Sequence, residues 1–130
     1  MLESLKQEVC KANLDLRAAQ HGASAPELDL WSDVAFHAQQ AVEKAYKAFL
    51  TSRDVPHRKT HSLEELGRQC AGLDSTLTDL VNSAAPLTEY AWKFRYPGES
   101  ENANREEALL ALEIAVTVVH HIAGQIGFPP

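Results

Sequence analysis

Trp31-Ser32-Asp33-Val34-Ala35-Phe36-His37-Ala38-Gln39-Gln40-Ala41-Val42-Glu43-Lys44-Ala45-Tyr46-Lys47-Ala48-Phe49-Leu50-Thr51 is the stretch that decides the fold. Trp31, Val34, Ala35, Ala38, Ala41, Val42, Ala45 and Phe49 recur at steps of three and four, the spacing that lines one side of an α-helix. The helix is expected from about Glu27 or Leu30 to Thr51, after Pro26, whose missing N–H costs nothing in a first turn. Arg53-Asp54-Val55-Pro56 ends it, because a proline disfavours helix at the residue before it. His37, Gln40, Lys44, Lys47 and Thr51 make the opposite stripe, expected to be wet. Gln39 and Glu43 fall among neither set, on the margin beside Phe36, Tyr46 and Leu50. They are one turn apart, so their side chains meet. An amide and a carboxylate half sunk in apolar surface need partners. They either anchor a ligand or polar network, or bond neighbouring helices or a dimer mate.

Outward from this helix the same periodicity continues. Leu2, Leu5, Val9, Ala12, Leu16 and Ala19 predict a helix over 2–20, with Gly22 as its stop. Ser62-Leu63-Glu64-Glu65 fits a capping box. It opens a short helix from Leu63 to about Cys70, closed by Ala71-Gly72. A fourth helix is expected over 76–94, bent or split by Pro86. Tyr96 to Glu101 is turn-rich. Asn104 caps a last helix that runs to Gln125 or Ile126, with Glu106 and Glu107 complementing its dipole. The apolar arc of that helix, from Ala108 to Ile126, is wide enough to face both its own bundle and a second subunit. The expected fold is all-α: an antiparallel up-down helical bundle of four long helices plus one short helix, in a single domain over 1–130.

With 130 residues, 45% of them hydrophobic, the chain can bury a core. No run approaches the roughly 18 apolar residues that span a bilayer. The first residues lack the basic-then-apolar order of a signal peptide. The cytoplasm is the expected location, with no membrane partner. Cys10 and Cys70 stand alone, without metal spacing, and are expected to be reduced, buried thiols.

The formal net charge of −6 argues against a surface built throughout to grip nucleic acid. The basic residues are unevenly spread, however. Lys44, Lys47, Arg53, Arg58 and Lys59 cluster, with His57 and His61 beside them. The run from Arg53 to His61 precedes a helix N-terminus, where cations and free N–H groups suit a phosphate or an RNA backbone. The alternative is a solvated basic loop. Tyr90-Ala91-Trp92-Lys93-Phe94-Arg95-Tyr96 interleaves cations with aromatics on which a base could stack. The alternative there is a packed helix end, with Arg95 on a carboxylate such as Glu43. His120 is expected to be wet and His121 to reach a subunit interface. No metal, no cofactor and no catalytic residue is assigned. Gly-rich phosphate loops, GxSxG and HExxH are all lacking.

Phe36 to Ala48 resembles the signature helix of HEPN domains. Pro56-His57-Arg58-Lys59-Thr60-His61-Ser62-Leu63 resembles their loop into the next helix, with Ser62 where Asp is common. Leu87 to Gly98 resembles their Arg-Tyr-Pro segment. The resemblance implies a helical bundle that forms a homodimer and binds nucleotides or RNA. It also implies a separately encoded nucleotidyltransferase partner, some such pairs acting as toxin and antitoxin. Ligand-binding residues implied together with the polar clusters above are Gln39, Glu43, Lys44, His57, Arg58, Lys59, His61, Tyr90, Lys93, Arg95 and Tyr96. A large subset of the family are metal-independent ribonucleases, with Arg and, after four to six residues, His. Arg95 stands at the corresponding place, but no His follows until His120. The expectation is therefore a non-catalytic binding dimer. The alternatives are a diverged ribonuclease and a structural protein-interaction module.

Overall fold

The computed structural model describes residues 2–57, 59–60, 62–93 and 102–127. Every regular element among them is helical: α1 (Leu2–Ala23), α2 (Trp31–Ser52), α3 (Leu63–Leu73), α4 (Thr78–Ala84) and α5 (Arg105–Ile126). Tight 3-10 turns cover Pro26–Leu28, Ser75–Leu77 and Ala85–Ala91. The all-α bundle expected from the sequence is what forms.

α2 is the axis of the bundle. Of its residues only Asp33 is exposed, and thirteen are buried, so neighbours surround it on every side. The stripe from His37 to Thr51 is therefore not wet. It is half-buried, because α1 lies along it. α1 runs opposite to α2: Gly22 meets Val34, Asp15 meets Lys44, and Glu8 meets His57. α5 runs in the same direction as α2, with Arg105 over the Trp31 ring and Val119 and Ile122 beside Ala45 and Ala48. Alanines fill these seams: Ala12, Ala19, Ala35, Ala38, Ala41, Ala108, Ala111 and Ala115 are all buried. Small side chains let helix axes approach closely, which helps a modest chain reach interior packing density.

The helix ends show which local signals decide. Ser62 accepts from the Glu65 N–H at 3.1 Å and starts α3, as its sequence predicts. Asn104 and Glu107 form a complete capping box at α5. Gly22 is not a stop. It lies within α1, where an added Cβ would come within 2.8 Å of Val34 Cγ2, so its value is close packing. The chain leaves α1 because Pro26 holds Ala25 outside helical geometry. α3 likewise runs through Gly72 to Leu73. The expected fourth helix is divided at Pro86 into α4 and a 3-10 segment, since proline cannot donate the backbone bond an α-helix needs there.

α5 differs from the other long helices. Contrary to the expectation that no run approaches a membrane span, it is long and apolar enough to cross a membrane by length and composition, and 33% of that stretch is buried inside the chain. Its polar interruptions, Glu113, Thr117, His120 and His121, all lie exposed. Leu109 and Leu110 are exposed as well.

Candidate functional site

The α1–α2 seam holds a continuous polar chain. Asp15 Oδ1 lies 2.8 Å from His37 Nδ1, and Asp15 Oδ2 pairs with the Lys44 ammonium. Lys44 reaches Gln40 Oε1 at 3.5 Å. Gln40 Nε2 donates to Gln39 Oε1 at 2.6 Å, and Gln39 Nε2 donates to Glu43 Oε1 at 3.2 Å. Lys47 closes the chain on Glu43 Oε2 at 3.1 Å. Gln39 and Glu43 are not marginal: they are 0% and 3% exposed, the two buried polar side chains of the bundle's described part. Neither offers a surface atom to a ligand, and the charge they hold is balanced inside. Asp15 is the member that the sequence reading did not single out. The signal for it was present: Glu8 and Asp15 share one face of α1, opposite the His and Lys stripe of α2.

The loop after α2 folds back on α1. His57 Nε2 lies 3.4 Å from Glu8 Oε1, both side chains mostly covered. The other Glu8 carboxylate oxygen is buried without a hydrogen-bond partner. An open cleft of about 420 Å³ lies at this corner, lined by Ser4, Thr51, Asp54, Val55, Pro56 and His57. Lys59 is exposed. Arg58, His61, Arg95 and Tyr96 fall outside the described residues.

Tyr90 is drawn into the fold. Its hydroxyl donates to Glu107 Oε2 at 3.2 Å, tying the 3-10 segment to the first turn of α5. Burial, and then the Glu107 carboxylate, push the Tyr90 phenol up to about 12. Lys93 pairs with Glu89 at 3.4 Å on the same segment, and Trp92 is 47% exposed. Thr88 Oγ1 accepts from the Leu63 N–H at 3.1 Å, which joins this segment to α3. The structure thus divides the expected site residues among three places: the α2 interior, the Glu8–His57 corner and the Tyr90–Glu107 clamp.

His120 and His121 are both exposed. Hydrogen bonds from Thr76, and then the nearby Arg53 and His121 charges, hold the Asp74 carboxyl below its ordinary range. No group of three His, Cys, Asp or Glu side chains among the described residues could hold a metal ion.

The two cysteines differ, contrary to the expectation that both are buried. Cys10 is exposed and Cys70 is buried, its Sγ 3.6 Å from the Tyr46 carbonyl oxygen. Burial pushes the Cys70 thiol up to about 12 and also raises the adjacent Tyr46 phenol, whose hydroxyl is buried without a partner. The thiolate is the reactive form. Native protein treated with a thiol reagent at mildly alkaline pH should therefore modify Cys10 alone, with Cys70 following only on denaturation. Equal rates at both would contradict this burial. Cys70 and Tyr90 also keep their protons in the folded chain above the pH at which the unfolded chain releases them. Their contribution to stability is complete below about pH 9 and falls as pH rises towards 12.

Residues 7–125 match the family model of the HEPN domain. The chain belongs to the HEPN domain family. Two solved structures share its fold. One is described as ST0689, an archaeal HEPN homologue, with a TM-score of 0.74 and 23% identity over 94% of this chain and 97% of that one. The other is TT1696 from Thermus thermophilus, with a TM-score of 0.74 and 27% identity over 93% of this chain and 97% of that one. A comparison with curated proteins gives no match. In this HEPN chain the signature helix is α2, and its amide and carboxylate, Gln39 and Glu43, are core residues.

Proposed function

We propose that this HEPN chain is a non-catalytic dimer that binds a nucleotide or an RNA phosphate. It acts in the cytoplasm, as one domain, beside a separately encoded nucleotidyltransferase in a toxin–antitoxin-like pair. The observation that carries this reading is the loop between α2 and α3. It presents Lys59 to solvent just ahead of the Ser62-capped start of α3, with His57 on the wall of an open cleft. The positive end of the α3 dipole and the neighbouring ammonium favour an oxyanion, with the Leu63 and Glu65 N–H groups already taken by Thr88 Oγ1 and Ser62 Oγ. In sequence, Arg58 and His61 extend the basic run, and Lys93, Arg95 and Tyr96 belong to a second basic and aromatic run. Dimerisation is supported by α5, where exposed Leu109 and Leu110 adjoin half-buried Leu112, Ile114 and Val116.

Calorimetry with ATP, GTP and a short RNA tests the binding. Saturable heat is expected, weakened several-fold by Lys59→Ala. Folded protein that gives no heat with millimolar ligand would overturn it. Light scattering at micromolar concentration should give twice the chain mass, and a monomer would remove the dimer.

One observation favours a second reading, a diverged ribonuclease. The Glu8 carboxylate orients His57 at the cleft, as a base for a 2′-hydroxyl proton requires. Arg95 would then stabilise the phosphate. Total RNA should be cleaved by the native protein and spared by Arg95→Ala. Equal cleavage by both would mark a contaminant.

A further inference from the structure

A second groove lies between α1 and α5, lined by Asn13, Leu16, Arg17, Gln20 and His120. Its volume is about 290 Å³. Arg17 and His120 are both exposed, and neither has an ion-pair or hydrogen-bond partner among the described residues. This distinguishes them from the cations of the α1–α2 seam, where Lys44 and Lys47 are each held by a carboxylate.

The arrangement follows from how α1 distributes its charge. Lys6, Cys10, Asn13, Arg17 and Gln20 recur at steps of four and three, so they share one face. Glu3 continues this row but lies fourteen residues from Arg17, about 21 Å along the helix, and no other Asp or Glu shares the row. The acids Glu8 and Asp15 lie on the other flank and are spent on His57, His37 and Lys44. The guanidinium of Arg17 is therefore not neutralised by its own helix. On α5 the row that carries His120 also carries Thr117 and Glu113. The Thr117 hydroxyl is bonded back to the Glu113 carbonyl oxygen at 3.1 Å. The Glu113 carboxylate is two turns from His120, about 10 Å along the helix, too far to pair with the imidazole.

We propose that this groove binds a phosphate oxyanion, with Arg17 as its charged anchor, His120 on the facing wall, and the Asn13 and Gln20 amides as neutral donors. A guanidinium fork engages two oxygens of an oxyanion at once. A carboxylate would then be satisfied. A phosphate keeps further oxygens, which the donors on the two walls suit. Leu16 gives the floor an apolar patch, where water competes less with the ion contact. The site stands apart from the α2–α3 loop, which meets α1 on its opposite flank at Glu8, and it does not depend on the loop's binding anything.

Amide chemical-shift mapping tests the proposal on the whole chain, first with inorganic phosphate, then with AMP and with a short single-stranded RNA. Shifts are expected over residues 13–20 and 117–121. Arg17→Gln should weaken all three ligands about tenfold, the loss of one charge-assisted contact, while Lys59→Ala leaves these shifts unchanged. His120→Ala should give a smaller loss. Tighter, salt-sensitive binding of the RNA assigns the site to a nucleic-acid backbone; equal or tighter binding of AMP assigns it to a free nucleotide. The proposal is overturned if millimolar phosphate leaves α1 and α5 unshifted, or if the shifts persist in Arg17→Gln with helicity retained. Loss of these shifts in the Lys59→Ala protein would also overturn it, by merging this groove with the loop.

Discussion

Glu43→Ala is expected to lower the free energy of unfolding by about 3 kcal/mol, because it breaks a buried ion pair from one side. Glu43 is 3% exposed, and its carboxylate takes the Lys47 ammonium at 3.1 Å and the Gln39 amide at 3.2 Å. With the carboxylate removed, Gln39 loses an acceptor in a place that water does not reach. Lys47 keeps some access to solvent, with its side chain 19% exposed. That access holds the loss to the lower end of what buried pairs show. Glu43→Gln retains an acceptor and the shape, and should cost about half as much. Urea denaturation of both variants measures the difference. A loss below about 1 kcal/mol for the alanine variant would mean that the pair behaves as a surface salt bridge.

Gly67→Ala should cost about 2 kcal/mol, for a different reason: it overpacks a helix contact. A Cβ at Gly67 would lie 2.5 Å from Val81 Cγ1 and 3.4 Å from Tyr46 Cε2. Val81 has a short, branched side chain that cannot swing aside, and Tyr46 is fully buried. α3 would have to move away from α4. Gly72, five residues further along the same helix, has nothing within 4 Å of its added Cβ. Gly72→Ala should therefore stabilise by up to about 1 kcal/mol, through helix propensity alone. Opposite signs for two Gly→Ala changes in one helix test the packing directly. Equal effects would show that α3 and α4 do not meet as closely as this.

Much of the candidate site could be read from the sequence, and what could not has a common cause. Gln39 and Glu43 were legible as a polar pair out of place on an apolar face. Periodicity put them on the margin of the stripe, and α1, α3 and α5 closing around α2 made that margin interior. Tyr90 was legible as part of an aromatic and basic segment. Its bond to Glu107 was not, since seventeen residues separate the two. Nothing in the sequence links Arg17 to His120, which was legible only as a wet residue. One-dimensional spacing has no means of pairing α1 with α5.

By itself the sequence determined that these segments are helical and where the capped ones begin, while the stops expected at Gly22 and Gly72 fell inside helices. Apolar spacing, the Ser62 and Asn104 caps and the prolines act within a few residues of one another, so local physics settles them. The same residues carried the HEPN resemblance, which the family match bears out. Only the tertiary structure decided which face of each helix is wet. That choice depends on which neighbour covers it: α1 covers the His37–Lys47 stripe of α2, Val34 meets Gly22, and the α1–α5 groove leaves Arg17 uncompensated. Burial, pairing and the freedom of a charge to meet a ligand are properties of two or more helices together, and no single segment contains them.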